Sequence, residues 1–241
     1  MGRAWVKSRR RDPYYRRAKA EGYRSRAAFK LIQIDGRFDL IYERDVVVDL
    51  GAAPGGWSQV AKVLVGDEGR VVAVDRAGMQ PIAGVDLWKG DLTDPAFLET
   101  LAAEVAPADV VISDMAPRLS GNKTLDHERS LGLARAALTA AERLLRPGGN
   151  FLCKAFQGEH LDDFRRAVQA RFRTCRGHSP EASRKESREF YLVAKGFRGG
   201  LTPRPRAPGP AAGTAPPRPA GRAARGPRPG SATPPRTSAS T

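Results

Sequence analysis

Cysteine and histidine are scarce: the 241-residue chain has two cysteines, Cys153 and Cys175, and three histidines, His127, His160 and His178. Their spacing fits no zinc-ligand pattern, so no metal is expected. No uncharged run reaches the ~18–20 residues that cross a bilayer, and the first residues carry Lys or Arg every few positions without an apolar signal core. The expectation is a soluble, cytoplasmic protein with reduced thiols and no membrane partner. Large apolar residues are nearly missing from residues 201–241, which hold 11 Pro and 7 Arg and no acid. That composition buries too little surface to offset chain entropy and reads as a disordered tail. The remaining ~200 residues suit one domain with a real core.

Positive charge is plentiful, with 41 Lys+Arg against 26 Asp+Glu and a net charge of +15. It sits at the ends. Residues 1–30 carry +9 and residues 201–241 carry +7, which leaves −1 for residues 31–200. Arg3, Lys7, Arg9, Arg10, Arg11, Arg16, Arg17, Lys19, Arg24 and Arg26 are interleaved with Trp5, Tyr14, Tyr15 and Tyr23. Cations for phosphates and flat rings for unpaired bases read together as an RNA-capturing arm over residues 1–23. The arginine- and proline-rich tail has a weaker claim to sequence-independent RNA affinity.

Between the ends, short β-branched runs alternate with helical patterns. Val46–Leu50, Val71–Asp75, Asp109–Ser113, Asn150–Ala155 and Glu189–Ala194 read as strands. Trp57–Val65, a segment from Asp94-Pro95 to about Val105, a face stepping through Leu131, Ala134, Leu138, Ala141 and Leu145, and Leu161–Phe172 read as helices. Such alternation predicts an α/β fold with a Rossmann-like, doubly wound, mostly parallel sheet. The polar connection over 178–188 has no helical period, so the last two strands are expected to pair antiparallel.

The turn Asp49-Leu50-Gly51-Ala52-Ala53-Pro54-Gly55-Gly56-Trp57 lies between a strand and a helix, where such sheets bind nucleotide-like ligands. Ala53 stands where a dinucleotide fingerprint needs glycine, and its Cβ with Pro54 hinders approach of a pyrophosphate. Asp75, at the end of the second strand, is placed for a ribose diol, and Asp91 for an adenine amino group. S-adenosylmethionine, an adenosine without phosphate, meets all of these restrictions. Asp114 closes the strand ending at Ser113 and should border the same cleft. Lys154 stands inside an apolar strand, where either a partner holds its charge or desolvation strips its proton; both suit a catalytic group.

Five segments in order, Arg24-Ser25-Arg26-Ala27-Ala28-Phe29-Lys30-Leu31, Asp49–Trp57, Ser113-Asp114-Met115-Ala116-Pro117, Lys154-Ala155-Phe156-Gln157-Gly158 and Ser187-Arg188-Glu189, resemble the FtsJ/RrmJ family of RNA 2′-O-ribose methyltransferases. The resemblance runs from about Tyr14 to Gly196. It implies a class I S-adenosylmethionine-dependent methyltransferase domain over residues 24–200, with a catalytic tetrad of Lys30, Asp114, Lys154 and Glu189. It also implies cofactor contacts at Gly55, Trp57, Asp75, Asp91 and Asp114. The implied substrate is a uridine ribose in large-subunit ribosomal RNA, free or in the large ribosomal subunit, or else a transfer RNA anticodon loop; the chain is expected to act as a monomer. A non-catalytic RNA-binding assembly factor is the alternative, and the presence of all four tetrad residue types argues against it. A methyltransferase for a small molecule or a base nitrogen should carry an Asn/Asp-Pro-Pro-aromatic motif where this chain reads Asp114-Met115-Ala116-Pro117.

Overall fold

The computed structural model describes residues 12–183 and 189–199, all within one compact unit. The expectations for residues 1–11, for Ser187 and Arg188, and for the tail at 201–241 lie outside the described residues.

Seven strands form one sheet: β1 Val46–Leu50, β2 Arg70–Asp75, β3 Val85–Lys89, β4 Ala108–Ser113, β5 Leu145–Phe156, β6 Phe172–His178 and β7 Glu189–Phe197. Their spatial order is β3-β2-β1-β4-β5-β7-β6. The pairs among β1 to β5 are parallel, while β7 runs antiparallel to both β5 and β6. The antiparallel end expected from the polar connection is therefore present, and the sheet has two strands more than the five the sequence suggests, β3 and β6 at its two edges. Among the described residues six helices accompany the sheet: α1 Pro13–Ala20, α2 Ala28–Phe38, α3 Gly56–Val65, α4 Pro95–Val105, α5 Lys123–Leu144 and α6 Leu161–Arg171.

The valine-rich strands are buried on both faces, as continuous β-branched runs require. One core layer joins Val48, Leu50, Val72 and Val111 to Leu101 of α4, Leu131 and Leu138 of α5 and Phe164 of α6. The opposite layer joins Val47, Val71 and Ile112 to Leu31 and Ile34 of α2 and Trp57 and Val60 of α3. Helix starts follow side-chain chemistry. Asp94 Oδ1 accepts the Ala96 N–H at 2.9 Å with Pro95 in the first turn, and Asn122 Oδ1 accepts from Thr124 and Leu125 at 3.1 and 3.2 Å.

Three local expectations change. Phe172 does not end a helix; it opens β6, where its ring lies 5.8 Å from Phe151 and 5.3 Å from Phe197. Leu145, read with the apolar face of α5, instead begins β5, and Pro147, Gly148 and Gly149 lie inside an irregular strand start. The arm is partly folded: α1 is capped by Asp12, whose carboxylate accepts from Tyr14 and Tyr15 at 3.0 and 3.2 Å. Tyr14 and Tyr23 both pack on Phe29 with centroids 5.6 Å apart, so these rings are structural rather than open stacking platforms. Arg26 is also turned inward, paired with Asp12 and donating to the Ala182 carbonyl.

Candidate active site

The order of strands reverses between β1 and β4, and a cleft opens at the carboxyl ends of β1, β2 and β4, where open α/β sheets bind ligands. The turn after β1 is fixed on the end of β2: the Gly51 and Ala52 N–H groups donate to the Val74 carbonyl at 2.8 and 3.1 Å. Gly51 has φ +74°, and a Cβ there would stand 2.1 Å from Met115 Cγ, so only glycine lets the β1 and β4 loops meet. The cleft has a volume of about 680 Å³ and is bordered by Ala53, Asp75, Asp91, Asp114, Met115 and Arg129.

Asp75 is held by its own main-chain contacts. One carboxylate oxygen accepts the Ala53 N–H at 3.0 Å, the other the Ala77 N–H at 2.7 Å. Asp91 accepts the N–H and hydroxyl of Thr93 at 2.9 and 2.8 Å, and these bonds hold its carboxyl below the usual value. Gly55 and Trp57 do not line the cleft. Trp57 is core: its Nε1 donates to the Ala27 carbonyl at 2.8 Å, and its ring lies 5.9 Å from that of Tyr191.

Beneath the turn, Asp49 is buried and accepts from the Ser58 hydroxyl at 2.6 Å. Burial pushes its carboxyl up to about 7; the Ser58 bond opposes the rise and the Asp114 and Asp75 carboxylates add to it. A folded-state value above the ordinary ~3.9 means the native state binds the extra proton, so stability falls as pH rises from about 4 to about 7. Asp49→Asn is neutral throughout. Thermal denaturation at pH 5 and pH 8 should show the variant gaining on the parent at the higher pH, and an equal difference at both would contradict the assignment.

The structure brings the four tetrad side chains together at this edge of the sheet. Lys154 Nζ donates to the Asp114 carbonyl at 2.6 Å and to Asp114 Oδ1 at 2.9 Å. Lys30 Nζ, from α2, donates to Glu189 Oε2 at 2.7 Å. Of the two fates open to a lysine in the apolar strand β5, pairing is the one observed. Tyr191, which sequence reasoning missed, joins the two pairs: its hydroxyl donates to Asp114 Oδ1 at 2.7 Å and accepts from Lys30 Nζ at 3.1 Å. The resulting chain runs Glu189, Lys30, Tyr191, Asp114, Lys154. Tyr191 stands opposite Lys154 in the β5–β7 register and two residues after Glu189, on the same face of β7. That period-2 spacing was the available signal.

Burial alone would raise the Asp114 carboxyl, but the Lys154 and Lys30 ammonium groups and the Tyr191 hydrogen bond outweigh it and hold it below the usual carboxylate value. The Tyr191 hydroxyl goes the other way, pushed well up by burial and by the Asp114 and Glu189 carboxylates. At neutral pH Asp114 is thus an anion and Tyr191 a neutral donor. Among the described residues no group of three or more His, Cys, Asp or Glu side chains could hold a metal ion, and no helix is long and apolar enough to cross a membrane.

The family model for FtsJ-like methyltransferases matches residues 23–197. The chain belongs to that family. It is 52% identical over 190 residues to the "Ribosomal RNA large subunit methyltransferase E" of Archaeoglobus fulgidus, covering 78% of this chain and 97% of the relative. The protein of the same name from Hahella chejuensis is 46% identical over 206 residues, covering 83% and 100%. Among solved structures, a putative ribosomal RNA methyltransferase of Plasmodium falciparum superposes with a TM-score of 0.66 at 27% identity, covering 73% of this chain and all of that one. Aeropyrum pernix fibrillarin, solved with natively bound S-adenosyl-L-methionine, shares the fold at a TM-score of 0.52 and 19% identity, covering 71% and 75%. The five sequence segments of this FtsJ-like methyltransferase all lie within the matched residues.

Proposed function

We propose that this FtsJ-like methyltransferase transfers a methyl group from S-adenosylmethionine to a ribose 2′-hydroxyl, that of a uridine, in large-subunit ribosomal RNA. One observation carries the reading: Asp114 belongs both to the cleft and to the Glu189–Lys30–Tyr191–Asp114–Lys154 chain, so the methyl donor's site adjoins paired lysines and carboxylates. The names of the A. fulgidus and H. chejuensis relatives favour large-subunit RNA as the substrate.

The cleft suits the donor. Asp75, Asp91 and Asp114 line it together with Arg76, Arg118 and Arg129, so the lining charges balance, and what disfavours a pyrophosphate is the Ala53 Cβ with Pro54 in the turn. Asp75 would hold the ribose diol, Asp91 the adenine amino group, and Asp114 the end nearest the reacting methyl. When bound, S-adenosylmethionine supplies a methyl group whose departure leaves a neutral thioether. The protein's task is then to hold the hydroxyl in line and deal with its proton. Lys154 Nζ spends two donor positions on Asp114. Its third position is left for the hydroxyl: as the paired ammonium it orients the hydroxyl oxygen, and once that third proton has passed to solvent its lone pair takes the hydroxyl proton. Asp114 fixes the Lys154 ammonium, and Lys30 with Glu189 shapes the charge on the substrate side. Gly55 and Trp57 act, in this reading, by shaping the turn. Residues 3–11 are proposed to contact RNA phosphates, with the protein acting as a cytoplasmic monomer.

The test is incubation of labelled S-adenosylmethionine with ribosomal RNA, assembled large subunits and transfer RNA, followed by nucleoside analysis. Label in 2′-O-methyluridine from large-subunit RNA is the expected result. Label only in transfer RNA or in a base would overturn the substrate or the chemistry, and no transfer to any RNA would return the binding-factor reading. In the same assay Asp75→Ala should weaken cofactor binding by roughly 1–3 kcal/mol, the scale of a lost hydrogen bond to a buried partner. Titration calorimetry checks this, and unchanged affinity would remove the diol role.

A further inference from the structure

Arg24 belongs by sequence to the phosphate-neutralising arm, but its guanidinium is occupied elsewhere. Nη1 donates to the Pro54 carbonyl at 3.2 Å and the Gln80 carbonyl at 2.6 Å, and Nη2 donates to the Pro81 carbonyl at 2.5 Å. Its main-chain N–H donates to Gln59 Oε1 at 2.9 Å, and Gln59 Nε2 donates back to the Gly22 carbonyl at 3.1 Å. Pro54 lies in the turn after β1. Gln80 and Pro81 lie in the connection from β2 to β3, which has no helix or strand of its own.

We propose that Arg24 is a positioning residue of the cofactor cleft, stapling the β1–α3 turn to the β2–β3 connection, and not a contact for RNA phosphates. Asp75 already ties these two loops from within, through Ala53 and Ala77. Arg24 ties the same two loops one step further along, at Pro54 and at Gln80 and Pro81. Gly55 makes the closure possible. Its φ of +108° is strained for any other residue, and a Cβ there would stand 2.6 Å from Ile82 Cδ1 and 3.3 Å from Arg24 Cδ, so the Ile82 and Arg24 side chains would have to shift.

The residue type fits the task. A planar guanidinium presents several donors in a rigid fork and can serve three carbonyls at once, whereas a lysine ammonium is a compact point charge on a flexible stem. Segments without ladder hydrogen bonds are the ones that open most easily, and here a side chain from outside the sheet supplies the missing bonds. Removing it leaves the walls beside Asp75 free to part, and the cost falls on cofactor binding. The donor positions used in this way are not free to hydrogen-bond a phosphate. The proposal rests on the reading of the cleft as the S-adenosylmethionine site.

The test compares the unaltered full chain with Arg24→Ala and Arg24→Lys. S-adenosylhomocysteine affinity is measured by calorimetry, KM for S-adenosylmethionine and kcat on ribosomal RNA by methyl transfer, and RNA affinity across a salt series. Arg24→Ala should weaken S-adenosylhomocysteine binding about tenfold or more and raise KM for the donor, with kcat at saturating donor largely kept. Arg24→Lys should recover part of the loss. The salt slope of RNA binding should not change. A flatter slope with intact cofactor affinity would make Arg24 a phosphate contact and overturn the proposal. A lowered melting temperature with unchanged cofactor affinity would overturn it as well, since the role would then be structural only. Failure of the unaltered chain to bind S-adenosylhomocysteine would instead overturn the cofactor reading, and this role with it.

Discussion

Lys154→Met is expected to slow methyl transfer by 10²-fold or more while leaving S-adenosylhomocysteine affinity within about threefold. A positioned group that handles the hydroxyl proton typically contributes about 10²–10⁴ in rate. Lys154 is suited to that role because its side chain is 4% exposed and its nitrogen is anchored twice on Asp114. Methionine keeps much of the stem volume, so the packing of β5 changes little and the loss reports the nitrogen. Asp114 keeps the Tyr191 hydrogen bond in the variant, which limits disturbance of the cleft. Single-turnover transfer at saturating RNA gives the rate and calorimetry the affinity. A loss of affinity matching the loss of rate would show that Lys154 serves the cofactor and not the hydroxyl.

Asp114→Asn should have the largest effect on stability. Asp114 is 18% exposed in its side chain and is the carboxylate shared by Lys154, Tyr191 and, through space, Lys30. Removing one member of such a buried ion pair leaves charge without compensation, at about 3–5 kcal/mol. The pH dependence follows from the lowered value of its carboxyl. A depressed folded-state value gives a contribution fully present above the ordinary carboxylate value of ~3.9, and lost as pH falls below that through the folded-state value. Urea unfolding of parent and variant should therefore differ by a constant amount from pH 7 down to about 4, and the two should converge in stronger acid. A difference below about 1 kcal/mol at pH 7 would show that the asparagine amide satisfies the same partners.

The strands and helices that were legible are those whose apolar residues repeat with a clear period. Val46–Leu50 and Val71–Asp75 read directly because a parallel strand covered on both faces must be apolar throughout. Strand β6 escaped notice for the opposite reason. Its sequence, Phe-Arg-Thr-Cys-Arg-Gly-His, lies at the sheet edge, with Arg173, Thr174 and Arg176 exposed, so it shows no apolar alternation. Helix α1 was hidden by its basic residues, since only Ala18 is buried. In the site, Lys30, Asp114, Lys154 and Glu189 could be picked out because each is a charge at a strand end, in a strand or in a recognisable segment. Tyr191 could not, as a tyrosine in a strand is ordinary until its hydroxyl is seen between a lysine and an aspartate. The arm misled in part. Charge counts do not tell which way a side chain points, and Arg24 and Arg26 both point into the protein.

The cluster around Asp114 has a consequence for the order in which a newly made chain gains its parts. The lining of the cleft is encoded between Gly51 and Ala136. Lys30 finds its acceptors at Glu189 and Tyr191, 159 and 161 positions later. During synthesis every wall of the cofactor cleft therefore emerges well before the last strand, while Lys30, made among the first residues, waits for nearly the whole domain. Strand β7 acts as a late latch that joins the two ends of the domain, so competence to hold the hydroxyl comes after the means of holding the methyl donor.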